Sequence, residues 1–166
     1  MVIKLATSER FLNQVREIFR EYQISLGIDL CFQDFEQELS SLPGKYAPPQ
    51  GRLYLAFIDA EPAGCIALRP FRRDQCEMKR LYIRPKFRGQ NLARVLANKI
   101  IAEARQIGYS QMLLDTLPTM TAAQGLYRSL GFCQNSSYCF NPIEGTQYMK
   151  LDLQCDASPY ITMKEK

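Results

Sequence analysis

The chain has 166 residues, 46% of them hydrophobic, enough for one domain with a substantial core. Its formal charge of +4, from 21 Lys and Arg against 17 Asp and Glu, is too mild to imply a nucleic-acid binder unless the cations cluster. There is no histidine, which excludes Ser-His-Asp and Cys-His nucleophilic machinery, the HExxH zinc site and His general bases.

Val2 to Leu5 is predicted to form a first strand. Thr7 or Ser8 then caps a helix whose apolar positions, Phe11, Leu12, Val15, Ile18, Phe19 and Tyr22, follow the helical period. A second helix is expected near Phe32 to Leu42, ended by Pro43-Gly44, with Ala47 to Gly51 as a loop. Leu53 to Ile58 and Ala63 to Leu68 flank the turn Asp59 to Pro62 and predict a hairpin. Cys76 to Ile83 makes a further strand, stopped by Arg84-Pro85. Leu92 to Gln106 is a helix with Leu92, Val95, Leu96, Ile100 and Ile101 as its buried stripe, ended by Gly108. Met112 to Asp115 is a short strand and Thr121 to Leu130 a helix closed by Gly131. Cys133 to Phe140 and Thr146 to Leu153 are the last strand pair. The order is β-α-α-β-β-β-α-β-α-β-β, with the helices after the fourth and fifth strands as crossovers.

The six cysteines, Cys31, Cys65, Cys76, Cys133, Cys139 and Cys155, form no CxxC pair. Several lie in apolar runs where free Cys acts as a small hydrophobe, so neither a disulfide framework nor a metal site is expected. The start of the chain lacks an apolar signal core and no segment approaches membrane-spanning length, so the expectation is a soluble cytoplasmic protein with no membrane partner. Nine cations cluster between Arg69 and Arg94. Such a stretch suits a polyanionic small ligand at least as well as a nucleic acid.

Within that stretch, Glu77 to Ala93 reads as a strand, a tight turn at Gly89 and a helix start. Unpaired backbone N–H groups and the helix dipole suit such a place to a phosphate, and Arg88 and Arg94 flank it. An ordinary solvated connection fits the local pattern equally well. It is neither a P-loop nor GxGxxG.

The run Arg88-Gly89-Gln90-Asn91-Leu92-Ala93 resembles the [RQ]-x-x-G-x-[GA] motif of the GNAT superfamily of acetyl-CoA-dependent N-acetyltransferases. Asn91 stands where that family usually has glycine, and Asn tolerates left-handed backbone better than other non-glycine residues. Downstream, Thr121 to Phe132 resembles the family's A-x-x-L-Y-x-x-L-G-F segment at Ala123, Leu126, Tyr127, Leu130, Gly131 and Phe132. Met120 occupies the place of a frequent CoA-contacting Asn. The two motifs cover roughly Leu53 to Phe132, and the element order extends the likeness to most of the chain.

The resemblance implies an α/β (α+β) three-layer fold with a mixed, mostly antiparallel twisted sheet of six to seven strands and about four helices. One domain would cover 1–166, with 154–166 as a C-terminal tail. It implies that Arg88, Gly89, Gln90, Asn91, Leu92, Ala93 and Ala123 hold acetyl-CoA, and that the backbone of Leu81, Tyr82 and Ile83 binds the pantetheine arm like an added strand. It implies that Tyr127 protonates the departing CoA thiolate. The alternative is a packed core tyrosine. A glutamate at the place of Glu77 is the general base in some members, and here strand alternation puts Lys79, Leu81 and Ile83 on its side. Equally, Glu77 pairs only with Arg80 or Lys79. Cys76 and Cys133 lack a His partner and are not expected as nucleophiles.

The expected activity is direct transfer of acetyl from acetyl-CoA to a small-molecule or peptide amine, with no metal and with a homodimer left open. Rivals are an acyl-CoA-binding sensor without turnover and a small basic nucleic-acid-binding domain, for which only Phe71, Tyr82 and Phe87 offer stacking rings. The acceptor is expected between Leu26 to Leu42 and Tyr138 to Tyr148, where Asp29, Asp34, Glu36, Glu38 and Glu144 would favour a cationic amine.

Overall fold

The computed structural model describes residues 1–30 and 34–154, and its elements run in the predicted order. Strand β1 (Val2–Leu5) leads to helix α1 (Glu9–Leu26), capped by Ser8, whose hydroxyl accepts from the Phe11 N–H. Helix α2 spans Phe35–Ser41, and Phe32, expected on it, lies outside the described residues. Strands β2 (Arg52–Ile58), β3 (Glu61–Arg72) and β4 (Gln75–Ile83) follow, then α3 (Leu92–Ile107), β5 (Gln111–Thr116), α4 (Thr121–Ser129), β6 (Cys133–Asn135) and β7 (Gln147–Asp152). The seven strands form one sheet in the order β1-β2-β3-β4-β5-β7-β6, antiparallel except for β4 against β5. That parallel pair needs a crossover, and α3 supplies it. Among the described residues, no helix is long and apolar enough to cross a membrane.

Period-two alternation sorts the strands onto two cores. Leu53, Leu55, Cys65 and Ala67 pack with α1 and α2, while Tyr54, Ala56, Ile66 and Leu68 pack with α3 and α4 on the other face. The sheet is thus the middle of three layers.

Alternation fails within β4, and this corrects the sequence reading. Between Ala67↔Lys79 and Cys65↔Tyr82 the register shifts, two steps along β3 against three along β4. The extra residue forms a β-bulge, and Arg80 there takes the left-handed φ of 58°. Tyr82 therefore joins the α1 core, while Ile83 packs on the α3 core with Leu81 against it. Lys79 shares the side of Glu77 as expected; Leu81 and Ile83 do not.

β6 is also shorter than predicted. It pairs with β7 only at Cys133 to Asn135, and the chain then turns irregular. Tyr138 leaves the strand path to bond Glu77, and Pro142 has no N–H to give a ladder.

Candidate active site

β4 and β5 pair only at Gln75–Glu77 against Gln111–Leu113. Beyond that point they part, and the β4 edge from Met78 to Ile83 carries no strand partner. A small cavity of about 40 Å³ fills the parting, with Met78 to Leu81 on one side and Leu114 to Leu117 on the other. Tyr22 reaches it from α1 and Tyr127 from α4. We call this cavity the throat.

Between the end of α1 and the starts of α3 and α4 the throat continues into a groove of about 790 Å³. Leu81, Tyr82, Ile83, Arg88, Gly89, Asn91, Leu92, Ala93, Ala123 and Tyr127 all line it; Gln90 does not. The groove has the features an anion needs. Asn91 adopts φ 60° as N-cap of α3 and makes no side-chain cap bond, so the first amides of a sixteen-residue helix have no such side-chain partner. Gly89 sits at φ 77°, and a Cβ there would meet no atom within 4 Å, so its backbone faces open space. Arg88 is held in place by a bond from Nε to the Ile83 carbonyl, 3.0 Å, and by stacking over Tyr82. Arg94 reaches Ser129 Oγ at 2.8 Å.

Tyr127 is 7% exposed and stacks edge-on against Phe132. Burial, then the neighbourhood of Tyr22 and Asp115, pushes its phenol up, so it stays protonated. It borders both throat and groove.

Glu77 lies elsewhere. It is 1% exposed and lines a second cavity, about 430 Å³, on the α1–α2 side. Arg69 Nε and Nη2 both approach its Oε2 at 2.6 Å. The Tyr138 hydroxyl donates to Oε1 at 2.9 Å, and Lys79 Nζ stands 3.6 Å from the same oxygen. The expected partner Arg80 is instead bound bidentately to Glu38, because the bulge turns it towards α2. Glu77 and Tyr127 thus do not share a cavity. Lys79 and Asp115 stand between them, 3.0 Å apart, and Lys79 lines both the throat and the second cavity.

Burial lowers Lys79, but the charges of Glu77 and Asp115 outweigh it and hold the amine protonated above its usual range. Burial raises Asp115, but Lys79 and the bond from Asn141 outweigh that and hold the carboxyl below its usual range. Asp115, Thr116, Lys79 and Tyr22 are the site residues that sequence reasoning missed.

Of the acidic residues expected to attract a cation, one is already paired. Glu38 is bound to Arg80 and Tyr46, and neither Glu36 nor Glu144 lines the second cavity; Asp34 does. Five of the nine cations of the basic stretch, Arg69, Lys79, Arg80, Arg84 and Lys86, each pair with a carboxylate. Of its stacking rings, Tyr82 and Phe87 are buried. The Cys76 thiol is pushed up to about 12 by burial, which makes it a poor nucleophile. No cluster of metal-ligating side chains occurs among the described residues.

Residues 12–132 match the Acetyltransferase (GNAT) family. An N-acetyltransferase of Schizosaccharomyces pombe, described as uncharacterized, is 41% identical over 144 residues, 86% of this chain and 88% of that one. Human N-acetylaspartate synthetase is 31% identical over 119 residues, 70% of this chain but only 37% of that protein. Among solved structures, the PaiA N-acetyltransferase of Thermoplasma acidophilum in complex with coenzyme A superposes with TM-score 0.70 at 16% identity, covering 92% of this chain and 99% of that one. The last likeness is one of fold.

Proposed function

The chain belongs to the acetyltransferase (GNAT) family, and from that premise we propose that it moves acetyl from acetyl-CoA directly onto an amine in a ternary complex. The observation that carries this reading is the parting of β4 from β5. It leaves a bare strand edge from Met78 to Ile83 and a throat that shares Tyr22, Leu81 and Tyr127 with the groove and Lys79 with the second cavity.

The groove fits the nucleotide thioester. Gly89, Asn91, Leu92 and Ala93 present backbone where a pyrophosphate is stabilised by amides and the α3 dipole, with Arg88 and Arg94 beside it. The bare β4 edge suits the amide groups of the pantetheine arm, as an added strand would. The cavity of about 430 Å³ suits a small-molecule acceptor. The name of the human relative, an N-acetylaspartate synthetase, is in keeping with an acceptor of that size.

In the proposed reaction the acceptor ammonium first loses a proton to solvent. Its nitrogen then attacks the thioester carbon, the C–N bond forms, the nitrogen gives its surplus proton to water and the C–S bond breaks. Tyr127 gives its phenolic proton to the thiolate and regains one from water. Glu77, with both oxygens engaged, fixes Arg69 and Lys79 rather than taking the proton.

The test is release of free CoA thiol from acetyl-CoA across amino acids, diamines, lysine peptides and peptide N-termini. Acceleration by one class over the blank supports the reading. Wild-type protein that shows no heat of binding with acetyl-CoA in calorimetry sinks it.

A further inference from the structure

The throat holds a buried polar atom that nothing in the fold explains. Thr116 is 5% exposed, it lines the throat, and its Oγ1 is buried with no hydrogen-bond partner. Leaving a buried hydroxyl unpaired is unfavourable, and such groups are rare outside sites where a ligand or water completes them. The throat, at about 40 Å³, has room for one small polar group.

Successive residues of a strand point to opposite faces. Asp115, paired with Lys79, therefore belongs to the side of the acceptor cavity, and Thr116 to the side of α4 and Tyr127. A nitrogen that passes through the throat to reach a thioester in the groove meets first a carboxylate and then a hydroxyl. Of the other side chains that line the passage, Met78, Leu81, Leu114 and Leu117 are apolar and Lys79 and Arg80 only donate, while Tyr22 and Tyr127 carry hydroxyls, that of Tyr127 serving the thiolate in the proposed reaction. Asn141 Oδ1 already accepts from the Ile143 N–H.

We infer that Thr116 is a catalytic residue of the acceptor's amine end, its Oγ1 accepting an N–H of the attacking nitrogen beside the Asp115 carboxylate. This rests on the acetyl-transfer reading above. A neutral primary amine has two N–H groups and one lone pair. Seating the N–H groups on Thr116 and Asp115 leaves the lone pair as the part free to face the thioester carbon. Orientation of this kind governs rate steeply, with a misplacement of about 1 Å costing on the order of 100-fold.

Thr116→Val and Thr116→Ser test it, with the primary amine that the wild type acetylates fastest as probe. Val keeps the shape and removes the hydroxyl. Turnover should fall at least about tenfold with an unchanged KM for acetyl-CoA, while the melting temperature holds or rises because an unpaired buried group has gone. Ser restores the hydroxyl and should recover most of the rate. Two results overturn the inference: Thr116→Val as active as wild type, or a loss of rate accompanied by a lower melting temperature that Ser does not repair. If the wild type itself binds no acetyl-CoA, the reading beneath falls and takes the inference with it; normal binding with an indifferent Thr116→Val removes the inference alone.

Discussion

Lys79 Nζ lies 3.0 Å from Asp115 Oδ1, and this buried pair spans the place where β4 and β5 separate. Glu77, whose nearer cation is Arg69, and Asp115 both face that ammonium, which lessens charge repulsion between two carboxylates in a space of low dielectric.

Lys79→Met should therefore destabilise the protein by roughly 3 kcal/mol or more in urea unfolding, since removing one partner leaves buried charge uncompensated. The double variant Lys79→Met, Asp115→Asn should regain part of the loss. A single variant as stable as wild type would show the pair to be solvated.

Glu77→Gln separates an ion-pair role from a catalytic one. Arg69 and Lys79 lose their shared carboxylate, so the melting temperature should fall while the pH–rate profile keeps its shape. Activity lost near neutral pH and recovered at high pH, where free amine is abundant, would instead make Glu77 the base.

Tyr127→Phe keeps the ring against Phe132 and removes only the hydroxyl. Turnover should drop by about 10²–10⁴-fold while acetyl-CoA binding, measured by calorimetry, persists. Unchanged turnover would assign the protonation of the thiolate to water.

Glu103, far from the throat, sets a pH dependence. Burial pushes its carboxyl up, but hydrogen bonds from Lys99, Arg52 and Tyr54 outweigh that and hold it at about 2. A folded value below the unfolded one, about 4.3, means stability that is present above the unfolded value and lost as pH falls towards the folded one. Glu103→Gln should flatten the fall in melting temperature between roughly pH 5 and pH 2. An identical slope in wild type and variant would refute the assignment.

Apolar period, caps and turn residues are local, and they were enough to order the elements, because each helix or strand of this chain buries the stripe its own sequence carries. The Arg88 to Ala93 turn was legible for the same reason: its left-handed positions at Gly89 and Asn91 and the helix start are set by neighbours in sequence. The throat was not. It exists because Arg80 bulges out of β4 and β5 diverges after Leu113, and neither event has a signal in the strand residues themselves. The bulge reversed the faces of Leu81 and Ile83, and long-range ion pairs claimed Glu77 and Glu38 before any substrate could. Asp115 and Thr116 look in sequence like the frayed end of a short apolar strand. Only the packing of β4, β5, α1 and α4 around one small space makes them neighbours of Tyr127, since burial and charge pairing are properties of that space and not of the residues alone.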